Sequence, residues 1–250
     1  MTTAAAPPVV QAAVFDMDGL LVDSEPLWQQ AEIAVFASYG VALTEDLCRS
    51  TKGMFVYDVA RHWYARHPWT GPAPEAVAEE ILRDMERRLA DEARLLPGAG
   101  AALAFCRARA GKVALASSSP RRLIDVVVER FALGPLFDVV HSAESEPAGK
   151  PDPAVFLTTA RLLGVEPGGC VVLEDSPAGV AAALSAGMAC VAVPEVHGGE
   201  SPELFAGATV VLASLDDLDE EVWRRLEARV ASPPSGGAAG HRRSSAEGER

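Results

Sequence analysis

Val14-Phe15-Asp16-Met17-Asp18-Gly19-Leu20-Leu21-Val22-Asp23-Ser24-Glu25-Pro26 follows an apolar run, Val9 to Phe15, that Gln11 alone interrupts. Apolar residues that stop abruptly at two carboxylates one residue apart and a glycine have the form of a buried strand ending at a reactive loop. If Phe15 closes a central strand, Asp16 stands at its carboxyl end, and the Asp-x-Asp spacing turns both acids toward one small volume. Carboxylates so placed repel each other, and a divalent cation with hard oxygen ligands, as magnesium takes, offsets that repulsion. The same four residues, Asp-x-Asp-Gly, also make an ordinary turn, so the reading depends on what the rest of the chain supplies.

A chain of 250 residues, 49% of them hydrophobic, can bury a large core as one domain or one domain with an insertion. Cys48, Cys106, Cys170 and Cys190 are widely spaced without a CxxC pair, and the five histidines include no HExxH, so neither a zinc site nor a disulfide framework is indicated. Free thiols in a reducing cytosol are the simpler reading. The net charge of -13 excludes a polyanion such as nucleic acid as the main partner, because a broad phosphate-binding surface needs a basic face. A small phosphorylated metabolite needs only a few local donors and remains open. No stretch approaches a membrane span and the start carries no signal-type segment, which predicts a soluble, cytoplasmic protein without a membrane partner.

The rest of the chain divides by pattern. Residues 26 to 39, 56 to 67 and 74 to 89 read as helices, and no strand is expected between Glu25 and Arg94. From Ala99 onward helices alternate with apolar strands. Strands are expected at Lys112 to Ala116, Phe137 to His141, Cys170 to Leu173, Met188 to Val193 and Thr209 to Leu212, and a closing helix at Asp219 to Val230. Such alternation specifies a parallel sheet covered on both faces. The expected class is therefore α/β: a Rossmann-like parallel sheet with helices on both faces, made of residues 10–24 and 95–230, and an inserted α-helical cap, 25–94. Residues 1–9 and 231–250 offer nothing to bury and are expected to be disordered.

In such a sheet ligands bind beyond the carboxyl ends of the strands, so the residues that follow each strand test the opening motif independently. Asp16 and Asp18 follow the first strand, Ser117, Ser118 and Ser119 the second, and Glu174 and Asp175 the fourth. Lys150, in Gly149-Lys150-Pro151-Asp152-Pro153, lies on the loop after the third. Phe-Asp-Met-Asp-Gly-Leu-Leu-Val-Asp-Ser-Glu-Pro, Ala-Ser-Ser-Ser-Pro, Gly-Lys-Pro-Asp-Pro and Leu-Glu-Asp-Ser-Pro-Ala-Gly resemble, in order, the four motifs of the haloacid dehalogenase-like superfamily, in its branch of capped phosphatases and sugar phosphomutases. The segment Trp63-Tyr64-Ala65-Arg66-His67-Pro68-Trp69 is similar to the cap of family members that act on hexitol phosphates, which narrows the expected substrates to hexose or hexitol phosphates.

The resemblance implies a magnesium-dependent phosphatase. Asp16 would attack phosphorus and carry the phosphoryl group, and Asp18 would protonate the leaving alkoxide and later take a proton from water. Asp16 and Asp175, the Asp18 carbonyl and Glu174 would hold Mg2+. Ser117, the Ser118 amide and Lys150 would bind the remaining phosphoryl oxygens. Ser119 reads equally as a phosphate contact or a helix cap, and Asp152 as an orienter of Lys150 or a helix start. Asp23 and Glu25 read as hinge or cap of the insert. Trp28, Tyr57, Trp63, Tyr64 and Trp69, with His62, His67 and His141, read as structural.

The alternative is a sugar phosphomutase of the β-phosphoglucomutase type. Its relatives carry a histidine and a cap-loop arginine where this chain has Trp28 and Phe55, with Lys52 the cation that would have to substitute. Hydrolysis is therefore the favoured expectation, by a monomer or weak homodimer. A non-catalytic binding protein on the same fold is the remote alternative, and the survival of every motif residue argues against it.

Overall fold

The computed structural model describes residues 7–51, 53–194 and 201–232. Strand β1 is Ala12–Phe15, shorter than the apolar run that announces it: the Gln11 amide still donates to the Gly169 carbonyl at 2.9 Å, but regular pairing begins one residue later. It pairs in parallel with β2 (Lys112–Ser117) on one side and β4 (Cys170–Glu174) on the other, so Phe15, Leu115 and Leu173 lie in one row. With β3 (Val139–Ser142), β5 (Ala189–Ala192) and β6 (Val210–Val211) the described residues form a parallel sheet of order β3-β2-β1-β4-β5-β6.

The continuous apolar strands are explained by burial on both faces. Ala13, Phe15, Leu115 and Leu173 meet Leu103 of α5 (Ala99–Arg109), Leu123 of α6 (Arg121–Arg130), and Trp223 and Leu226 of α9 (Glu220–Ala231). Ala12, Val14, Ala116 and Val172 face Val155 and Phe156 of α7 (Ala154–Leu163) and Val180 and Ala183 of α8 (Pro177–Ser185). β3 begins two residues later than the sequence suggests. A 3-10 turn, Gly134–Leu136, holds Phe137 outside the sheet, and Asp138 is fixed by its amide on the Val113 carbonyl and its carboxylate on the Val113 amide.

Between β1 and α5 the chain is helical: α1 (Glu25–Ser38), α2 (Glu45–Arg49), α3 (Val56–Arg66) and α4 (Pro74–Asp91). No strand interrupts them among the described residues. The five-residue α2 lies outside the sequence expectation. It starts because Thr44 accepts the Leu47 amide as N-cap and Glu45 and Asp46 sit in the first turn, where the helix dipole favours acids. Trp69 is the hub of an aromatic group with Phe36, Tyr39 and Tyr64, which places Tyr64 and Trp69 in packing, as expected. Trp28 is half-buried against the same core.

The chain enters and leaves this helical block through two adjacent strips: Val22 bridges Leu95 in antiparallel fashion, the Asp23 amide donates to the Arg94 carbonyl and the Leu96 amide to the Leu21 carbonyl. Arg130, at the end of α6, donates to the carbonyls of Ala90, Asp91 and Ala93 and so fixes the exit strip. Among the described residues no helix is long and apolar enough to cross a membrane, and the four cysteines are buried and unbridged. The ends expected to be disordered lie, for residues 1–6 and 233–250, outside the described residues.

Candidate active site

Three strand ends and one loop converge at the carboxyl edge of the sheet. β1 delivers Asp16, whose amide is held by the Leu173 carbonyl at 3.0 Å. The chain then doubles back tightly, with the amides of Leu21 and Val22 both donating to the Met17 carbonyl. Gly19 makes that turn with φ of 74°, and a Cβ there would stand 2.2 Å from the Asp175 carboxylate. The motif needs glycine for its backbone conformation and for the close approach of β4's acidic end.

Lys150 Nζ lies 2.6 Å from Asp16 Oδ1 and 2.5 Å from Glu174 Oε1, with its side chain buried. Glu174, fully buried, is held at its other oxygen by the amides of Asp175 and Ser176 and the Ser176 hydroxyl, at 3.0, 3.1 and 3.0 Å. An ammonium between two carboxylates is the arrangement that makes so much buried charge tolerable. Burial pushes the Asp16 carboxyl up to about 7 while Lys150 pulls it back and Glu174 and Asp18 add to the rise. For Lys150 burial works toward neutrality, but Asp16 and Glu174 outweigh it and hold the group above its ordinary range, as an ammonium. Asp16, Glu174 and Asp175 each offer a carboxylate oxygen within 4.8 Å of the others. Three buried hard oxygen donors at that separation could hold a divalent cation.

Asp18 is engaged differently. Ser24 Oγ donates to its Oδ1 at 2.7 Å, and Ser119 Oγ and Ser117 Oγ to its Oδ2 at 2.7 and 3.2 Å. Ser119 thus serves Asp18: α6 has no side-chain cap, and the Ser119 carbonyl is itself fixed by the Ser142 hydroxyl at 2.7 Å. Ser118 is half-buried on the same loop. Asp152 accepts the Ala154 amide at 2.9 Å and so starts α7; its contact is with the helix. Asp23 is exposed, Glu25 accepts from Gln29 and His141 pairs with Glu146 at 2.7 Å, all apart from the acid cluster. Lys52 lies outside the described residues.

Sequence reasoning missed Ser24, which is 1% exposed and touches Asp18. Its position in Ser-Glu-Pro looks like a helix start, and only the doubling back of residues 17–22 returns its hydroxyl to the motif. The contact of Phe55 with the lysine loop was equally invisible: a Cβ on Gly149 would lie 2.6 Å from Phe55 Cζ, so the ring rests on that glycine.

A doubly covered parallel sheet with acids, serines and a buried lysine at its carboxyl edge defines the chain as an α/β protein of hydrolase type. The family model for haloacid dehalogenase-like hydrolases matches residues 10–187, and the chain belongs to that family. It is 41% identical to hexitol phosphatase B of Escherichia coli (strain K12) over 213 residues, 85% of this chain and 96% of that protein. It is 35% identical to the phosphorylated carbohydrates phosphatase of Thermotoga maritima over 191 residues, 72% of this chain and 82% of the relative. Its fold superposes with a TM-score of 0.74 on CbbY from Rhodobacter sphaeroides, solved in complex with phosphate, at 27% identity, covering 84% of this chain and 96% of that one.

Proposed function

We propose that this chain is a magnesium-dependent phosphatase of small sugar or sugar-alcohol phosphates, hexose and hexitol phosphates foremost, working through an aspartyl phosphate on Asp16. One observation carries the reading. A carboxylate on a buried ammonium and a second carboxylate anchored by three hydroxyls stand two residues apart on one loop.

Two acids in such different surroundings suit different tasks. Asp16, 5% exposed at the end of β1, is the nucleophile: an oxygen attacks phosphorus, the alkoxide leaves, and the phosphoryl group passes to the carboxylate. Asp18 is aimed by Ser24, Ser117 and Ser119. It gives a proton to the leaving oxygen, then takes one from the water that hydrolyses the acyl phosphate. Lys150 and the amide of Ser118 hold phosphoryl oxygens, and Glu174 keeps Lys150 in place. Asp16, Glu174 and Asp175, with the carbonyl of Asp18, are the groups that would hold Mg2+. When bound, Mg2+ supplies neutralisation of charge on the transferring group.

Residues 10–24 and 95–230 form the core in this reading and 25–94 the cap. The strips at Val22 and Leu95 are its hinges. A monomer or weak homodimer belongs to the same reading. Buried thiols without bridges suit the cytoplasm. The test is phosphate release with Mg2+ from a panel of hexose, hexitol, pentose and glycerol phosphates, with Asp16→Asn as control. Preference for a hexitol or hexose phosphate, lost in the variant while its melting transition persists, supports the reading. An isomerised sugar phosphate without free phosphate supports the mutase alternative, and turnover by Asp16→Asn removes the assignment of the nucleophile.

A further inference from the structure

The start of α3 meets the core directly at one place and through α4 at a second. Phe55, the residue before the helix, rests its ring on Gly149, next to Lys150. Tyr57, two residues on, donates its hydroxyl to Glu79 of α4, and Glu79 Oε2 accepts from Arg122 Nη2 at 2.9 Å. Arg122 Nε also faces Glu86, seven residues and about two turns further along α4, at 3.2 Å. Arg122 lies in the first turn of α6, directly after the loop Ser117 to Pro120. A cation in a first turn opposes the helix dipole, and α6 has no acid there to offset it. Local helix stability therefore gives no reason for Arg122; its contacts with α4 do.

We propose that Phe55 and Arg122 are positioning residues that register the helical block on both substrate-facing loops at once, so that substrate bodies large enough to touch the block are held over Asp16 and Asp18. The chain of contacts runs Gly149, Phe55, Tyr57, Glu79, Arg122, and it joins the lysine loop to the serine loop through the first turn of α3. The side chains at its Arg122 end are about one-third exposed, 37% for Arg122 and 38% for Glu79, as befits a contact that can part and reform. The proposal rests on the phosphatase reading and adds to it a means by which binding a large substrate is coupled to placement of its phosphate.

The test compares two substrates on the full-length, Mg2+-loaded protein: a hexitol 6-phosphate, with six carbons to extend from the phosphate toward the helical block, and acetyl phosphate, with two. Two rim ion pairs are lost in Arg122→Glu and turned repulsive, which lowers kcat/KM for the hexitol phosphate by about tenfold and leaves that for acetyl phosphate within about twofold. Combining Arg122→Glu with Glu79→Arg re-forms one of the two ion pairs and restores part of the hexitol phosphate value, and Arg122→Lys retains most of it. Tyr57→Phe, which keeps volume and removes the hydroxyl, and Phe55→Ala shift the ratio in the same direction as Arg122→Glu.

An equal loss on both substrates, an unchanged ratio in all variants, or no recovery in the charge swap overturns the positioning role while leaving the phosphatase reading intact. A wild-type protein that releases phosphate from neither substrate overturns the phosphatase reading and this inference with it.

Discussion

Gly19 shows how little freedom single residues have in the motif loop. Its φ of 74° is a left-handed conformation that costs a side-chain-bearing residue about 1 kcal/mol, and a Cβ would also stand 2.2 Å from Asp175 Oδ2. The strain is affordable, but the collision is with one of the three acids that could hold the cation. Gly19→Ala should therefore fold yet displace Asp175, weakening Mg2+ binding by about 10- to 100-fold, the usual effect of disturbing the support of a metal ligand. A Mg2+ titration followed by calorimetry or by activity checks it. Unchanged affinity would mean that the loop relaxes away from Asp175 and that the glycine serves the turn alone. The acids of this loop were legible in the sequence because an apolar strand that stops at carboxylates is unusual enough to notice. Ser24 was not, since nothing in a Ser-Glu-Pro triplet says that its hydroxyl turns back 2.7 Å onto Asp18.

At the scale of elements, α1 packs Leu27, Ala31 and Phe36 inward but buries Glu32 along with them. One oxygen of Glu32 has no partner among the described residues, and the Cys48 thiol of α2 hydrogen-bonds to the carboxyl group. Burial pushes its carboxyl up to about 7, with Cys48 drawing it down slightly and Glu25 adding to the rise. The fold thus keeps a proton on Glu32 up to about pH 7, whereas in the unfolded chain the proton leaves near the ordinary value of 4.5. Between those pH values the unfolded state sheds the proton and the folded state does not, so stability falls as pH rises through that window. At most about 3 kcal/mol is involved. Glu32→Gln should melt higher than wild type at pH 8 and no higher at pH 5. Parallel melting curves against pH for the two proteins would rule the effect out. The helices of this region were readable from their spacing of apolar residues, except α2: five residues are too few for a periodic pattern, and its existence depends on the Thr44 cap. Nothing in the spacing of apolar residues along α1 marks Glu32 as buried, since its contact with Cys48 comes from that same short helix.

The whole molecule carries a charge of -13, and part of that acidity is concentrated where Asp16, Glu174 and Asp175 meet at the edge of the sheet. The alternation of strands and helices made the sheet legible in advance. The strand ends said which acids would gather, but only the order β2-β1-β4 brings Asp16 between the serine loop and Glu174. Lys150 compensates two of these carboxylates, so the folded protein tolerates the cluster without a metal but gains when a divalent cation adds further positive charge. A ligand that binds only the folded state stabilises by mass action, about 2.7 kcal/mol at a hundred times its Kd. For a chain of this size that is a rise in Tm of about 5 to 10 °C. Saturating Mg2+ should produce such a rise by differential scanning calorimetry, and excess chelator should abolish it. Asp175→Asn removes a ligand oxygen's charge without touching the Lys150 pairs with Asp16 and Glu174, so it should remove most of the Mg2+ shift. A shift of wild-type size in Asp175→Asn would place the cation elsewhere on this acidic surface, and no shift in the wild-type protein would leave Lys150 as the cluster's compensating cation.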